Sequence, residues 1–255
     1  SNQTNQNYTA TIQTFTISGR VADSGGAGIS NVTIGGLTGS PVTNANGDYT
    51  ATVPYGFTGT ATPSRAGYNF SPSSRPYSNV TSNQTGQNYT ASVQTFTVTG
   101  RVADSGGMGI SNVAIGGLTG SPVTNANGDY SATVNYGFTS TATPSRAGYN
   151  FSPSSRPYSN VTSNQTGQNY TASVQTFAIS GRVADSGGTG VSGVTIGGLP
   201  GNPMTNGNGD YSATVNYGFT GTATPSRVVY NFSPTNRPYS NVTSNQTVQN
   251  YTASV

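Results

Sequence analysis

The chain contains no cysteine, histidine or tryptophan. Reading along it finds no lysine and no glutamate either, so the whole charge inventory is nine arginines and six aspartates. Each absence removes a class of chemistry. Without cysteine there are no disulfides and no thiolate ligands, and the redox compartment leaves no mark on the sequence. Without histidine or cysteine the donors that transition metals favour are missing, and no cofactor is expected. The isoelectric point of 9.2 looks basic, but only 6% of the residues are charged. Tracking of phosphates needs clustered basic side chains, whereas Arg20, Arg65 and Arg75 lie far apart, so nucleic acid is not an expected partner. No apolar run is long enough to span a bilayer, and there is no basic-then-apolar leader.

Hydrophobic residues make up 31% of the chain, and Gly, Ser, Thr and Asn are plentiful. That composition alone is compatible with disorder; the order of the residues argues against it. TFTISGRVADSGG at Thr14 returns as TFTVTGRVADSGG at Thr95 and TFAISGRVADSGG at Thr176, a period of 81 residues. The first two copies are nearly identical, with exchanges such as Ala27 to Met108, Thr33 to Ala114, Pro54 to Asn135 and Gly59 to Ser140, while the third has drifted further. This is the pattern of tandem duplication.

Inside a period the apolar residues alternate, which is the strand signal. Phe15, Ile17, Gly19 and Val21 share one face of a first strand, and Asp23-Ser24-Gly25-Gly26 turns the chain. Val32 and Ile34 mark a second strand. Asn44-Ala45-Asn46-Gly47-Asp48 is hairpin-type turn chemistry, since Asn and Gly tolerate left-handed backbone. Tyr49, Ala51 and Val53, then Phe57 and Ala61, then Tyr68 and Phe70 continue the alternation; Pro72 and Pro76 interrupt it as at an edge or loop. Tyr89, Ala91 and Val93 form the last strand. Short strands with turn residues at almost every junction predict an all-β chain of three tandem Ig-like or transthyretin-like β-sandwich domains. The expected core of each is Phe15, Ile17, Val21, Val32, Ile34, Tyr49, Val53, Phe57, Tyr68, Phe70, Tyr89 and Val93 with their counterparts, and a domain of this size has a modest stability margin.

From Gln87 to Thr99 the chain runs without Gly or Pro, so there is no linker of flexible composition. Yet the apolar phase slips between Val93 and Phe96, so the strand must present its other face to a new core. The expected boundaries are therefore 14–94, 95–175 and 176–255, with the sandwiches end to end as a stiff rod. Residues 1–13 repeat the closing segment, Ser1 aligning with Ser82, Ser163 and Ser244. They are expected to be the last strand of a preceding repeat in a longer array, or a donor strand for another subunit.

The order ISGRV, a Gly-rich turn, GISNVTI, VTNANGDYTATV and PYGFTGTATPSRAGYNFSP resembles the bacterial carboxypeptidase-regulatory-like repeat, a transthyretin-like β-sandwich related to the Cna-B-type stalk domains. The resemblance covers Phe15 to about Val93 and recurs in all three periods. Such repeats have no catalysis of their own and serve as spacers, stalks and adhesin modules of secreted and surface proteins, which implies an extracellular or cell-surface location. Cna-B-type stalks are often locked by a Lys–Asn isopeptide bond; this chain, lacking lysine, excludes that lock.

Asp23 and Asp48 are the carboxylates of a period, and both fall in turns, where Asp bonds the local backbone; no catalytic residue is expected. Asn44, Asn46 and Asp48 echo the spacing of a calcium loop, weakly, since one charge and no terminal Glu are present; the turn reading is preferred. Acceptor triplets for N-glycosylation occur at Asn69, Asn79, Asn83 and Asn88, at Asn150, Asn160, Asn164 and Asn169, and at Asn231, Asn241, Asn245 and Asn250, with Asn2, Asn7 and Asn31 beside them. Attached glycans would supply the solubilising groups that a charge-poor surface lacks. Arg20, Arg65 and Arg75 beside the tyrosines could stack on sugars, but core tyrosine with arginine paired to Asp or lying over a ring is the preferred reading.

Three functions follow as expectations. The first is a stalk, fibre or filament segment whose partners are other copies of itself, associating head to tail by strand addition. The second is an adhesin repeat that binds glycans or a host surface protein. The third is an enzyme or an accessory domain of one, which a catalytic domain encoded beside these repeats would reveal.

Overall fold

A computed structural model describes residues 7–255. All regular elements among the described residues are strands, seven to each period. In the first period these are β1 (Thr14–Ala22), β2 (Thr33–Gly35), β3 (Asp48–Pro54), β4 (Phe57–Ser64), β5 (Tyr68–Ser71), β6 (Arg75–Val80) and β7 (Tyr89–Val93). The second period runs from β8 (Thr95–Ala103) to β14 (Tyr170–Val174), and the third from β15 (Thr176–Asp185) to β21 (Tyr251–Ser254).

The strands of the first period form two sheets, of order β3-β1-β7-β5 and β2-β4-β6, and the same orders recur in the other two periods. Each period is thus a sheet pair of the β-sandwich kind. β1 is the hub. It pairs antiparallel with β3 from Thr14 opposite Pro54 to Arg20 opposite Asp48, and parallel with β7 through Val21 opposite Tyr89. Between these, the segment before β7 is tied to it by the Ser18 N–H on Gln84 O and the Gln84 N–H on Thr16 O, each at 2.8 Å.

The alternation puts Ile17, Val21, Val32, Ile34, Tyr49, Val53 and Tyr89 in the core, with Phe15, Phe57, Tyr68 and Phe70 packed half-buried against it. Val93 differs from the expectation, being 44% exposed. It ends β7, whose burial stops at Ala91 because the strand has by then passed the edge of the core. Leu37, Tyr77 and Val80 are buried although their surroundings read as turn or proline-broken edge. Pro76 lies in β6, the edge of its sheet, where its missing N–H costs no ladder bond.

The Asn44–Asp48 turn is not a hairpin. Val42 bridges Thr33 beside β2, whereas β3 pairs with β1, so the turn carries the chain from one sheet to the other. Local turn chemistry specifies the reversal and not which strand the chain then joins.

The chain divides into two compact units, one of residues up to 97 with 133–139 and 158–165, the other of residues 98–132, 140–157 and 166–255. Each contains one junction between periods. Residues 7–13 are exposed and in no strand, and Gln13 O accepts the Tyr55 N–H at 2.8 Å. Asn2 and the rest of residues 1–6 fall outside the described residues, so the reading of 1–13 as a strand is a proposal for its described part alone. Among the described residues no helix is long and apolar enough to cross a membrane.

Candidate functional site

Of the two aspartates in the first period, Asp23 acts as a turn residue. Asp23 Oδ1 accepts the N–H groups of Gly25 and Ala27 at 2.9 and 2.8 Å, a local arrangement that closes the glycine-rich turn. Asn44 does the same for the second turn: its Oδ1 takes the N–H of Asn46 and of Asp48, both at 2.9 Å. Gly47, at φ 81°, completes the reversal. The Asn46 carbonyl accepts Arg20 Nε at 2.8 Å, and Asp48 lies 3.9 Å from the same nitrogen. Of the weak calcium candidates Asn44, Asn46 and Asp48, the Asn44 Oδ1 and the Asn46 carbonyl thus accept from donors of the chain itself, and Asp48 Oδ1 faces Arg20. Among the described residues there is no group of three or more His, Cys, Asp or Glu side chains that could hold a metal ion.

The acceptor triplets sort into different jobs. Asn83 Oδ1 accepts the Thr16 N–H and Asn88 Oδ1 the Arg20 N–H, each at 2.9 Å. Asn164 and Asn169 bond Thr97 and Arg101 in the same way, and Asn245 and Asn250 bond Ala178 and Arg182. These amides clamp the segment before the last strand onto β1 and its counterparts. Asn69 and Asn150 meet Gln94 and Gln175 Nε2 at 3.3 Å, beside the junctions. Asn79, Asn160 and Asn241 stand exposed at positive φ, 50°, 48° and 50°, as does Asn31 at 57°; Asn231 and Asn7 are exposed too. Sequence reasoning missed the clamps, because a sequon and a bonded asparagine look alike.

Two of the three arginines of the first period lie over tyrosine rings. Arg65 lies 4.8 Å from the centre of the Tyr68 ring and Arg75 5.4 Å from that of Tyr89. Arg65 Nη1 donates to Ser30 O, and Arg75 Nη2 to Asn88 O, at 2.7 Å each. Tyr49 and Tyr89 are 3% and 2% exposed, so neither offers a face for sugar stacking. Tyr49 OH donates to Gln87 O at 2.6 Å and Tyr89 OH to Ala61 O at 3.2 Å. Burial pushes the Tyr89 phenol up to about 12 and raises Tyr77, with the Arg75 charge pulling back on both. Tyr49 is raised further, first by burial and then by Tyr89 and Tyr77 beside it.

In the second unit a shallow groove of about 530 Å³ is lined by Gly100, Arg101, Val123, Asn125, Asp129 and Asn169 among others. Arg101 Nε bonds Asn127 O at 2.9 Å and lies 3.9 Å from Asp129. A single carboxylate facing an arginine has no acid–base partner with which to do chemistry.

The junctions are built on single glutamines. In the first unit the Gln94 N–H donates to Gly67 O and the Gln94 carbonyl accepts the Tyr136 N–H, both at 2.8 Å. Gln94 Nε2 also reaches Tyr68 O at 3.3 Å. In the second unit Gln175 repeats this with Gly148 and Tyr217 at 2.8 Å. Gln94 lies between β7 and β8, its amide and carbonyl both bonded.

No family profile matches the chain. It is similar to "Chitinase ChiA" of Flavobacterium johnsoniae, 37% identical over 139 residues, which is 52% of this chain and 8% of that protein. Among solved structures, the Bacillus anthracis TIE protein aligns with a TM-score of 0.66 at 12% identity, over 94% of this chain and 50% of that one. The major pilin subunit BcpA of Bacillus cereus aligns with a TM-score of 0.47 at 10% identity, over 95% of this chain and all of that one. The chain spans half of the TIE protein and a small fraction of the chitinase. The β-sandwich fold is shared with the first of these structures.

Proposed function

We propose that the chain is a non-catalytic structural segment, a spacer of tandem β-sandwich repeats within a larger extracellular protein. The observation that carries this is the junction: one glutamine, bonded through both its amide and its carbonyl, is all that separates successive periods. A joint with no free chain suits holding things apart and does not suit flexible tethering. Three further points support it. The Asp23 carboxylate is spent on a turn and that of Asp48 faces Arg20, the arginines bond carbonyls and lie over rings, and the residues resemble carboxypeptidase-regulatory-like repeats. The likeness to 8% of a chitinase fits a repeat segment that accompanies a chitin-acting catalytic part in a long secreted protein. Where a host attaches sugars, Asn79, Asn160 and Asn241 are the exposed acceptors free of clamping duty.

Two measurements test the reading. Stretching the full chain between two handles is expected to give equally spaced unfolding steps, since 81 residues extend by about 27–29 nm at about 3.3–3.6 Å each. Hydrolysis assays on chitin oligosaccharides are expected to show no turnover. Unequal, small steps or measurable turnover would remove the spacer reading.

A second reading, carbohydrate recognition, is favoured by the groove around Arg101 and Val123. A glycan array with bound sugar lost on Arg101→Ala would support it, and a blank array would end it.

A further inference from the structure

The turn that receives each junction tyrosine changes along the chain. It reads Arg65-Ala66-Gly67-Tyr68, then Arg146-Ala147-Gly148-Tyr149, then Arg227-Val228-Val229-Tyr230. In the first unit Gly67 is buried at φ 81°, and a Cβ on it would stand 2.6 Å from Tyr136 Cδ1. In the second unit a Cβ on Gly148 would stand 2.7 Å from Tyr217 Cδ1. Each tyrosine ring therefore lies on a bare Cα, at a separation that leaves no room for a side chain. A phenylalanine stands beside each ring, Phe96 with its centre 6.4 Å from that of Tyr136 and Phe177 with its centre 6.3 Å from that of Tyr217.

Val229 keeps the left-handed backbone of this turn, with φ 67°, a conformation that a β-branched residue adopts only against steric resistance. A Cβ at the equivalent place in the other two turns would meet the ring, and Val228 and Val229 are 85% and 70% exposed. At the other end Tyr55 is the counterpart of Tyr136 and Tyr217. Phe15 stands beside it at 6.3 Å between ring centres, and the Tyr55 N–H already bonds Gln13 O. The plug is formed, and its ring is 57% exposed.

We propose that this tyrosine-on-glycine contact decides which repeats dock. Tyr55 is a docking surface for another β-sandwich repeat whose Arg-Ala-Gly-Tyr turn presents a bare Cα, and Val229 closes the same seat on the third repeat. A repeat joined after the third, or the first repeat of a second copy, is then left undocked. The inference deepens the spacer reading by assigning docked and undocked joints to particular residues.

The test extends the full chain at its start, replacing residues 1–13 by a copy of residues 95–175 in one version. In the other, the replacement is a copy of 176–255 closed by one glutamine. Both place a glutamine directly before Thr14, and they present Gly148 or Val229 respectively to Tyr55. Hydrogen exchange of that glutamine's amide is expected to slow about tenfold or more in the first version relative to the second. Val228→Ala with Val229→Gly in the second version is expected to restore the slow exchange. Equal exchange in the two versions, fast or slow, overturns the proposal. Should an added repeat fail to fold, the unextended chain carries the test: Ala147→Val with Gly148→Val is expected to expose the Gln175 amide and spare the Gln94 amide. Tyr217→Ala, which strains no backbone, is expected to do the same, and an unchanged Gln175 amide overturns the proposal again. Chitin turnover would refute the spacer reading and leave this contact standing, so the two failures are distinguishable.

Discussion

Thr43 is a buried polar residue, 3% exposed, and its hydroxyl is fully employed. Oγ1 donates to Ile29 O at 2.7 Å and accepts the Val32 N–H at 2.9 Å, and Thr124 and Thr205 repeat the arrangement. Replacing Thr43 by Val keeps the shape and orphans both backbone groups, so equilibrium denaturation is expected to show a loss of about 2–3 kcal/mol. The asparagine clamps are expected to matter less. Asn88→Ala removes one acceptor from an amide at the rim of the sheet and should cost about 1 kcal/mol, while the same change at exposed Asn79 should stay within about 0.5 kcal/mol. An equal effect at the two positions would contradict the clamp. Neither role was legible in the sequence. Thr43 sits next to a turn, where threonine is unremarkable, and Asn88 reads as a sequon because a local triplet cannot say which distant N–H its amide meets. Asn44 was legible, since the groups it bonds lie two and four residues away.

At the scale of elements, β1 shows why alternation located the strands and missed some of their neighbours. Ile17 and Val21 follow the period of two into the core, and so do Tyr49, Ala51 and Val53 in β3. The approach to β1 of the segment before β7 rests instead on Gly19. A Cβ there would stand 2.2 Å from Gln87 O, so the two backbones touch where the clamps close. The position needs no left-handed backbone, and its requirement is purely one of space. Gly19→Ala is therefore expected to push the 84–88 segment away and to destabilise the first sandwich by about 3 kcal/mol, the upper end for overpacking. Faster exchange confined to the Gln84 and Gln87 amides would be the accompanying sign. Normal exchange there would show that the approach has slack. The misread hairpin has a related cause, because β3 chooses β1 by register and burial while the turn before it encodes only a reversal.

At the scale of the molecule, the composition sets how stability responds to its surroundings. Arg20 with Asp48 and Arg101 with Asp129 are loose pairs at 3.9 Å, their side chains about half exposed, and such pairs contribute about 0–1 kcal/mol. Screening at about 1 M salt, where the Debye length falls to about 3 Å, is therefore expected to leave the thermal midpoint almost unchanged; a large shift would mean that charge matters more than these contacts imply. Alkali is the sensitive direction. Tyr89 and Tyr251 are raised to about 12 from a reference of 10.0, burial being the main cause, and Tyr49 and Tyr211 are raised beyond them. A phenol whose folded value lies above its unfolded one favours the folded state in its neutral form. The contribution is complete below pH 10 and is lost as the pH climbs from 10 through 12, where the unfolded chain ionises first. Phenolate absorbance from the buried rings is expected to rise, during a pH titration, only together with loss of the β-sheet circular dichroism signal. A single smooth titration with the sheet signal intact through pH 12 would show that the buried phenols reach solvent without unfolding, and that the core around Arg75 is looser than its hydrogen bonds imply.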